Sequence, residues 1–257
     1  MIGFWPILVT YLLVRAFWLL LDQSGRALDS ILAPGLLKIA LWVVPCLAIT
    51  MAVNRLSPRA VLRELGLAQG LRSGVAFGVL ATLPLAAAVL FVGVQGPGIA
   101  ELVAVSVLDP IGESVLFSGF LFSQLRRWRW NVLSALTVSA LLFGLAHPDG
   151  EELNIVRMIY YGRFDVLWPT MRWFVPALLA GAAGGLLFTW LFHRWGTLWP
   201  TIAFHAGINF WWTISADLGL GFGQSIWRPL SATAIAHGVS MAIAVVATLM
   251  LKRRSTT

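Results

Sequence analysis

Ser73-Gly74-Val75-Ala76-Phe77-Gly78-Val79-Leu80-Ala81-Thr82-Leu83-Pro84-Leu85-Ala86-Ala87-Ala88-Val89-Leu90-Phe91-Val92-Gly93-Val94 runs without one charged side chain. A helix needs about 20 apolar residues to cross the hydrocarbon core of a bilayer. A membrane barrel strand would instead alternate apolar and polar residues, and this run does not alternate. Seven further apolar runs lie at 2–21, 33–53, 102–124, 131–147, 173–193, 197–214 and 229–251. The run at 131–147 is at the short limit and is expected to be shielded by neighbouring helices. The whole chain of 257 residues is 59% hydrophobic and only 11% charged, where a soluble domain is about a quarter charged. Too few polar side chains remain to cover a water-facing surface, and too much apolar area is present for disorder. The expected fold is all-α: a polytopic membrane bundle of about eight transmembrane helices, forming a single domain over residues 1–257. The first run lacks a basic leader and a clear cleavage site, so it is expected to be retained as a span.

Charge placement gives an orientation. The net charge is +7, but the basic residues sit in clusters between apolar runs, the pattern of the positive-inside rule rather than of nucleic-acid binding. Arg55, Arg59, Arg63 and Arg72 stand against Glu64. Arg126, Arg127 and Arg129 form a second cluster, and Lys252, Arg253 and Arg254 a third. Segment 148–170 holds Asp149, Glu151, Glu152 and Asp165 against Arg157 and Arg163, and reads as an exposed acidic loop. Both termini are therefore expected in the cytoplasm, with the acidic loop outside. Between the second and third runs, Ser57-Pro58 starts and Gly66 ends a short amphipathic helix, expected to lie on the membrane surface. The lone Cys46 reads as a small core residue.

Ionisable groups inside membrane helices are costly, about 2.5–3.5 kcal/mol on insertion scales, so those present need a reason. Glu113 lies mid-run in Asp109-Pro110-Ile111-Gly112-Glu113-Ser114-Val115-Leu116-Phe117-Ser118-Gly119. His147 ends the fifth run, and His205 and Asn209 share one face of the seventh by their spacing of four. Gly112, Gly119, Gly144 and Gly207 flank them and would let the helices approach closely. A carboxylate beside an imidazole can deprotonate water, and an imidazole with a carboxamide can steady an oxyanion. This chemistry suits hydrolysis of an amide bond without a covalent nucleophile. His193, beside Arg194, and His237, alone in the last run, read as structural.

These residues resemble the CAAX prenyl endopeptidase and bacteriocin-processing family of glutamic-type intramembrane proteases. The family pattern is Glu-Glu-x-x-x-Arg, then Phe-x-x-x-His, then His-x-x-x-Asn. Phe143 with His147 and His205 with Asn209 match the second and third motifs, and the resemblance covers residues 57–213. In the first motif Glu113 matches, whereas Ser114 and Ser118 replace the second glutamate and the arginine. Loss of both opposite charges is compatible with a working site, since it leaves no lone buried charge. The resemblance implies that Glu113 and His147 activate water and that His205 and Asn209 hold the oxyanion. Phe143, Ser114 and Ser118 stand beside them as candidate substrate contacts. No cofactor is expected. Zinc is the other chemistry such residues suggest, but only Glu113, His147 and His205 are available as ligands, and no His-Glu-x-x-His helix is present.

The expected partners are a membrane-anchored protein or peptide substrate and the lipid bilayer, with no nucleic acid. The expected location is a prokaryotic inner or plasma membrane, with the site opening outward. An outward cavity fits trimming of exported membrane-anchored proteins, such as those with C-terminal sorting tails. The alternative is a non-catalytic partner of the same family, an immunity or scaffold protein. A small transporter is weaker, because no paired broken helices are evident.

Overall fold

The computed structural model describes residues 4–24, 32–147, 151–215 and 232–250. Residues 148–150, with Asp149, and the tail cluster Lys252, Arg253 and Arg254 lie outside them. Helix α1 is Trp5–Ser24. Helix α2 runs through Leu32–Lys38, Ile39–Val43 and Val44–Asn54, and α3 is Pro58–Glu64. Helix α4 is Leu71–Val92. Helix α5 is one rod built from Ile99–Val103, Ala104–Leu108, Asp109–Glu113, Ser114–Leu121 and Phe122–Arg127. Then follow α6 (Val132–Ala146), α7 (Glu151–Tyr160), α8 (Phe164–Trp195), α9 (Trp199–Ile214) and α10 (Ala232–Met250). Among the described residues the only extended pairing is an isolated bridge between Val94 and Ser215. The all-helical expectation holds among the described residues, and helix occupies the described part of each apolar run. Among the described residues three helices, Pro34–Asn54 within α2, Leu71–Val92 and Phe164–Trp195, are long and apolar enough to cross a membrane, and shorter apolar helices accompany them.

Two stretches differ from the sequence reading. Segment 151–170 is not a loop: it forms α7 and the first turns of α8, joined by a tight turn with Gly162 at φ +64°. Its acidic residues hid a helical pattern whose apolar side chains Val156, Ile159, Tyr160, Phe164 and Trp168 stay exposed. Nor does α3 simply float on a surface. Its Val61 and the adjoining Leu65 are fully buried in the core, and Glu64 receives hydrogen bonds from Asn54 and Arg127. Its Arg59 and Arg63 remain outward, so the amphipathic pattern is real, but the apolar side packs on protein.

Prolines shape the two rods that carry buried charge. A proline cannot donate a backbone hydrogen bond, and its ring presses on the preceding turn. In α2 a π turn, Ile39–Val43, precedes Pro45, and the Val44 N–H reaches back to the Ile39 carbonyl. In α5 a π turn, Ala104–Leu108, precedes Pro110, and the Asp109 N–H reaches the Ala104 carbonyl. Each widened turn carries the chain past its proline.

Small residues set the close packing. Along α4 and α9, Gly78 meets Ala203 and Gly207 meets Thr82, where an added Cβ would fall 2.5 Å and 2.9 Å from the facing atoms. These positions recur every four residues on each helix, so one face of α9 is committed to α4 and the face with His205 turns away from it. The short α6 lies against α8: a Cβ on Gly144 would fall 2.5 Å from the Leu178 carbonyl oxygen, and one on Gly185 would fall 2.7 Å from Phe143 Cβ. This is the shielding expected for a helix at the short limit. The turn before α9 is clasped to the turn before α4. The single hydroxyl hydrogen of Thr197 is shared between the Gly66 and Gln69 carbonyls, 2.8 Å and 2.6 Å from Oγ1, and the Leu198 N–H donates to the Gly66 carbonyl. Gly66, at φ +70°, lies where a Cβ would strike Phe192 and Leu198, so only glycine serves there.

Candidate functional site

Glu113 lies near the middle of α5 and is 8% exposed. His205 lies on α9 between the positions of Ala203 and Gly207, which meet Gly78 and Thr82 near the middle of α4. At 1.5 Å per residue, this level is roughly halfway along a helix long enough to span the membrane. His205 Nε2 stands 3.7 Å from Glu113 Oε2. The His205 ring stacks on Phe188 with centroids 4.4 Å apart, and its Nδ1 is buried without a hydrogen-bond partner.

His147 caps α6, half-buried. Its Nδ1 lies 2.8 Å from the Phe143 carbonyl oxygen. A nitrogen facing a carbonyl must carry the proton, so in the neutral ring Nε2 is left as the proton acceptor. Gly181 makes room for this ring, since a Cβ there would fall 3.3 Å from it. Phe143 bridges the two imidazoles, with centroids 4.6 Å from His147 and 5.9 Å from His205. His147 is within electrostatic reach of Glu113, Asp109 and His205. The acid and both imidazoles of the sequence reading therefore belong to one cluster.

Asn209 lies one turn beyond His205 and donates from Nδ2 to the Val105 carbonyl at 3.0 Å. Continuing the π register of α5, Pro110 would be the residue to satisfy Val105, and proline has no N–H to give. The amide of Asn209 takes its place and fastens α9 to the acid-bearing rod. A carboxamide nitrogen carries two hydrogens, so one remains for another acceptor.

Ser114 and Ser118 lie on the same rod as Glu113. Ser118 Oγ lies 3.1 Å from Thr189 Oγ1, a hydroxyl pair that holds α5 to α8. Ser114 Oγ is buried without a hydrogen-bond partner. Phe143, also buried, packs edge-on against Phe117 and Phe188 as the wall between the histidines. His237 accepts from Trp212 Nε1 at 2.6 Å and joins α10 to α9, a structural role.

Lys38 and Asp109 went unassigned in the sequence. Lys38 Nζ lies 2.8 Å from Glu113 Oε1 and 3.2 Å from Asp109 Oδ1. The signal was present: Lys38 is an ionisable group inside an apolar run, the same cue that singled out Glu113. Its partner on another helix was not legible. Asp109 lies one turn before Glu113, so the two carboxylates share a face of α5. One oxygen of Glu113 is thereby anchored to an ammonium, and the other turns toward His205.

The protein's own cation occupies one oxygen of Glu113, and no group of three His, Cys, Asp or Glu side chains suited to a metal occurs among the described residues.

The fold and cluster together define a helical membrane protein with an acid and two imidazoles gathered in one cluster. Residues 94–211 match the family model of type II CAAX prenyl endopeptidase Rce1-like proteins, a family of proteases. The match takes in Glu113, His147, His205 and Asn209, and it supports the membership in the CAAX-protease family that the motifs suggested. No curated protein and no solved structure matches the chain.

Proposed function

We propose that this protein is a glutamic-type intramembrane endopeptidase that hydrolyses a peptide bond of a membrane-anchored protein. The observation that carries the reading is the approach of Glu113 Oε2 to His205 Nε2 at 3.7 Å, with His147 and Asn209 in the same cluster. Glu113 and the free Nε2 of His147 take a proton from water. The resulting hydroxide attacks the scissile carbonyl. The oxyanion that forms is steadied by His205 and by the second amide hydrogen of Asn209. The proton then passes to the leaving amine. The site needs neither a covalent nucleophile nor a metal.

The site opens away from the basic clusters. Glu113 and His205 are buried, whereas His147 and Asn209, further from Arg126 and Arg127 along their helices, are half-exposed. With the basic clusters in the cytoplasm, the side on which His147 and Asn209 stand faces the outer leaflet. The substrate class that fits is an exported, membrane-anchored protein, such as one carrying a C-terminal sorting tail. A prokaryotic plasma membrane is the setting consistent with that substrate.

One observation favours a second reading, a non-catalytic partner of the same family. Lys38 holds Glu113, and Asn209 holds Val105, so part of the cluster binds helices together. Co-expression with membrane-anchored substrates encoded nearby separates the two readings. Glu113→Gln is expected to abolish cleavage while the protein still inserts. Normal cleavage by that variant leaves only the partner role.

A further inference from the structure

We propose that Lys38, on a helix outside the family-matched segment, is the positioning cation of the site, with Asp109 as its counter-charge. This rests on the reading of Glu113 as the reacting acid. The ammonium is fixed from every side. Two carboxylates lie at 2.8 Å and 3.2 Å. The rings of Trp42 and Phe17 lie with centroids 5.4 Å and 5.5 Å from it, within cation–π range. Those rings are themselves held, with centroids 5.0 Å apart and Trp42 Nε1 donating to the Leu13 carbonyl. The Lys38 stem passes Gly112, where a Cβ would fall 3.3 Å from Lys38 Cβ. Helices α1 and α2 thus set where Glu113 Oε1 sits, and through it where Oε2 points.

Charge counting separates this role from packing. One ammonium and two carboxylates leave the group one negative charge in excess. Without the ammonium, two carboxylates share one face of α5 with no cation between them, and one of them takes up a proton. Removing the Asp109 charge as well restores a single negative charge at Glu113. The charged and titratable groups within electrostatic reach of Glu113 are Lys38 from α2, Asp109 from its own rod, His147 from α6 and His205 from α9.

The test is cleavage of a matched membrane-anchored substrate by purified Lys38→Met, Lys38→Arg and Lys38→Met/Asp109→Asn proteins, each checked for thermal unfolding in detergent. Lys38→Met is expected to lower kcat about 100-fold with KM within about threefold, because the cation orients the acid and does not grip the substrate. The double variant is expected to recover about tenfold over Lys38→Met, an interaction opposite in sign to additive damage. Lys38→Arg is expected to outperform Lys38→Met. Wild-type cleavage by Lys38→Met, or a folded double variant no better than the single one, overturns the proposal. Should Lys38→Met fail to fold, the double variant decides alone: at least about a tenth of wild-type kcat supports the proposal, and a folded but inactive protein overturns it. Glu113→Gln runs alongside. If it cleaves, the protease reading itself fails. If it is inactive while Lys38→Met is normal, only the role of Lys38 fails.

Discussion

Two ion pairs in this protein share one chemistry and differ in depth. At the basic end, Arg127 Nη2 lies 2.8 Å from Glu64 Oε2, with side-chain exposures of 45% and 18%. At mid-depth, Lys38 lies at the same 2.8 Å from Glu113, with exposures of 11% and 10%. The outer pair ties α5 to α3, and water stands ready to take over if it breaks. The inner pair has no such reserve, so it draws in a second carboxylate and two aromatic faces. Equal distances therefore do not mean equal consequences. Surface pairs contribute about 0–1 kcal/mol, whereas breaking a buried pair leaves an uncompensated charge that costs several times as much.

The largest expected effect lies at the inner pair. Glu113→Gln should reduce cleavage by about 10³-fold or more, read as product formed per folded protein. Retention of normal turnover breaks the contrast at its root, since the inner pair would then be purely structural. Asn209→Ala should act twice. It removes an oxyanion donor, with a loss of about 10²-fold in kcat, and it orphans the Val105 carbonyl, with a stability loss of about 1–3 kcal/mol. Kinetics and thermal unfolding on one preparation check both. A stability loss with unchanged kcat would make Asn209 a clasp alone.

Packing around the inner pair comes next. Gly144→Val forces atoms into the space held by the Leu178 carbonyl. It should cost about 1–3 kcal/mol, measured as a lowered melting temperature in detergent. The smallest effect belongs to the outer pair. Arg127→Ala should change stability by less than about 1 kcal/mol and leave cleavage intact. A loss as large as that of Glu113→Gln would mean that the basic end is coupled to the site, and the contrast of depth would fall.

The candidate residues stand out in the sequence because they rest on local spacing. His205 and Asn209 share a face by their separation of four. Gly112, Gly119, Gly144 and Gly207 marked close approaches, and each meets a neighbouring helix or side chain at short range. What failed to read out was long-range or masked by composition. Lys38 is 75 residues from its partner Glu113, and no periodicity couples them. The helix at 151–160 reads as loop in the sequence because acidic residues at its start suggest solvent, although acids near a helix N-terminus are favourable. The sequence puts α3 on the membrane surface because it cannot tell which apolar neighbour covers a helix.

The sequence by itself determined the solvent and the regular structure. Long apolar runs leave the backbone no partner but itself, so helix is forced wherever lipid replaces water. It also named the acid, the two imidazoles and the amide, because ionisable or polar groups in such runs stand out. Only the tertiary structure decided which cation serves that acid and which carbonyl takes the amide of Asn209. Those choices depend on the crossing of helices distant in the chain, which is set by the shapes of packed surfaces.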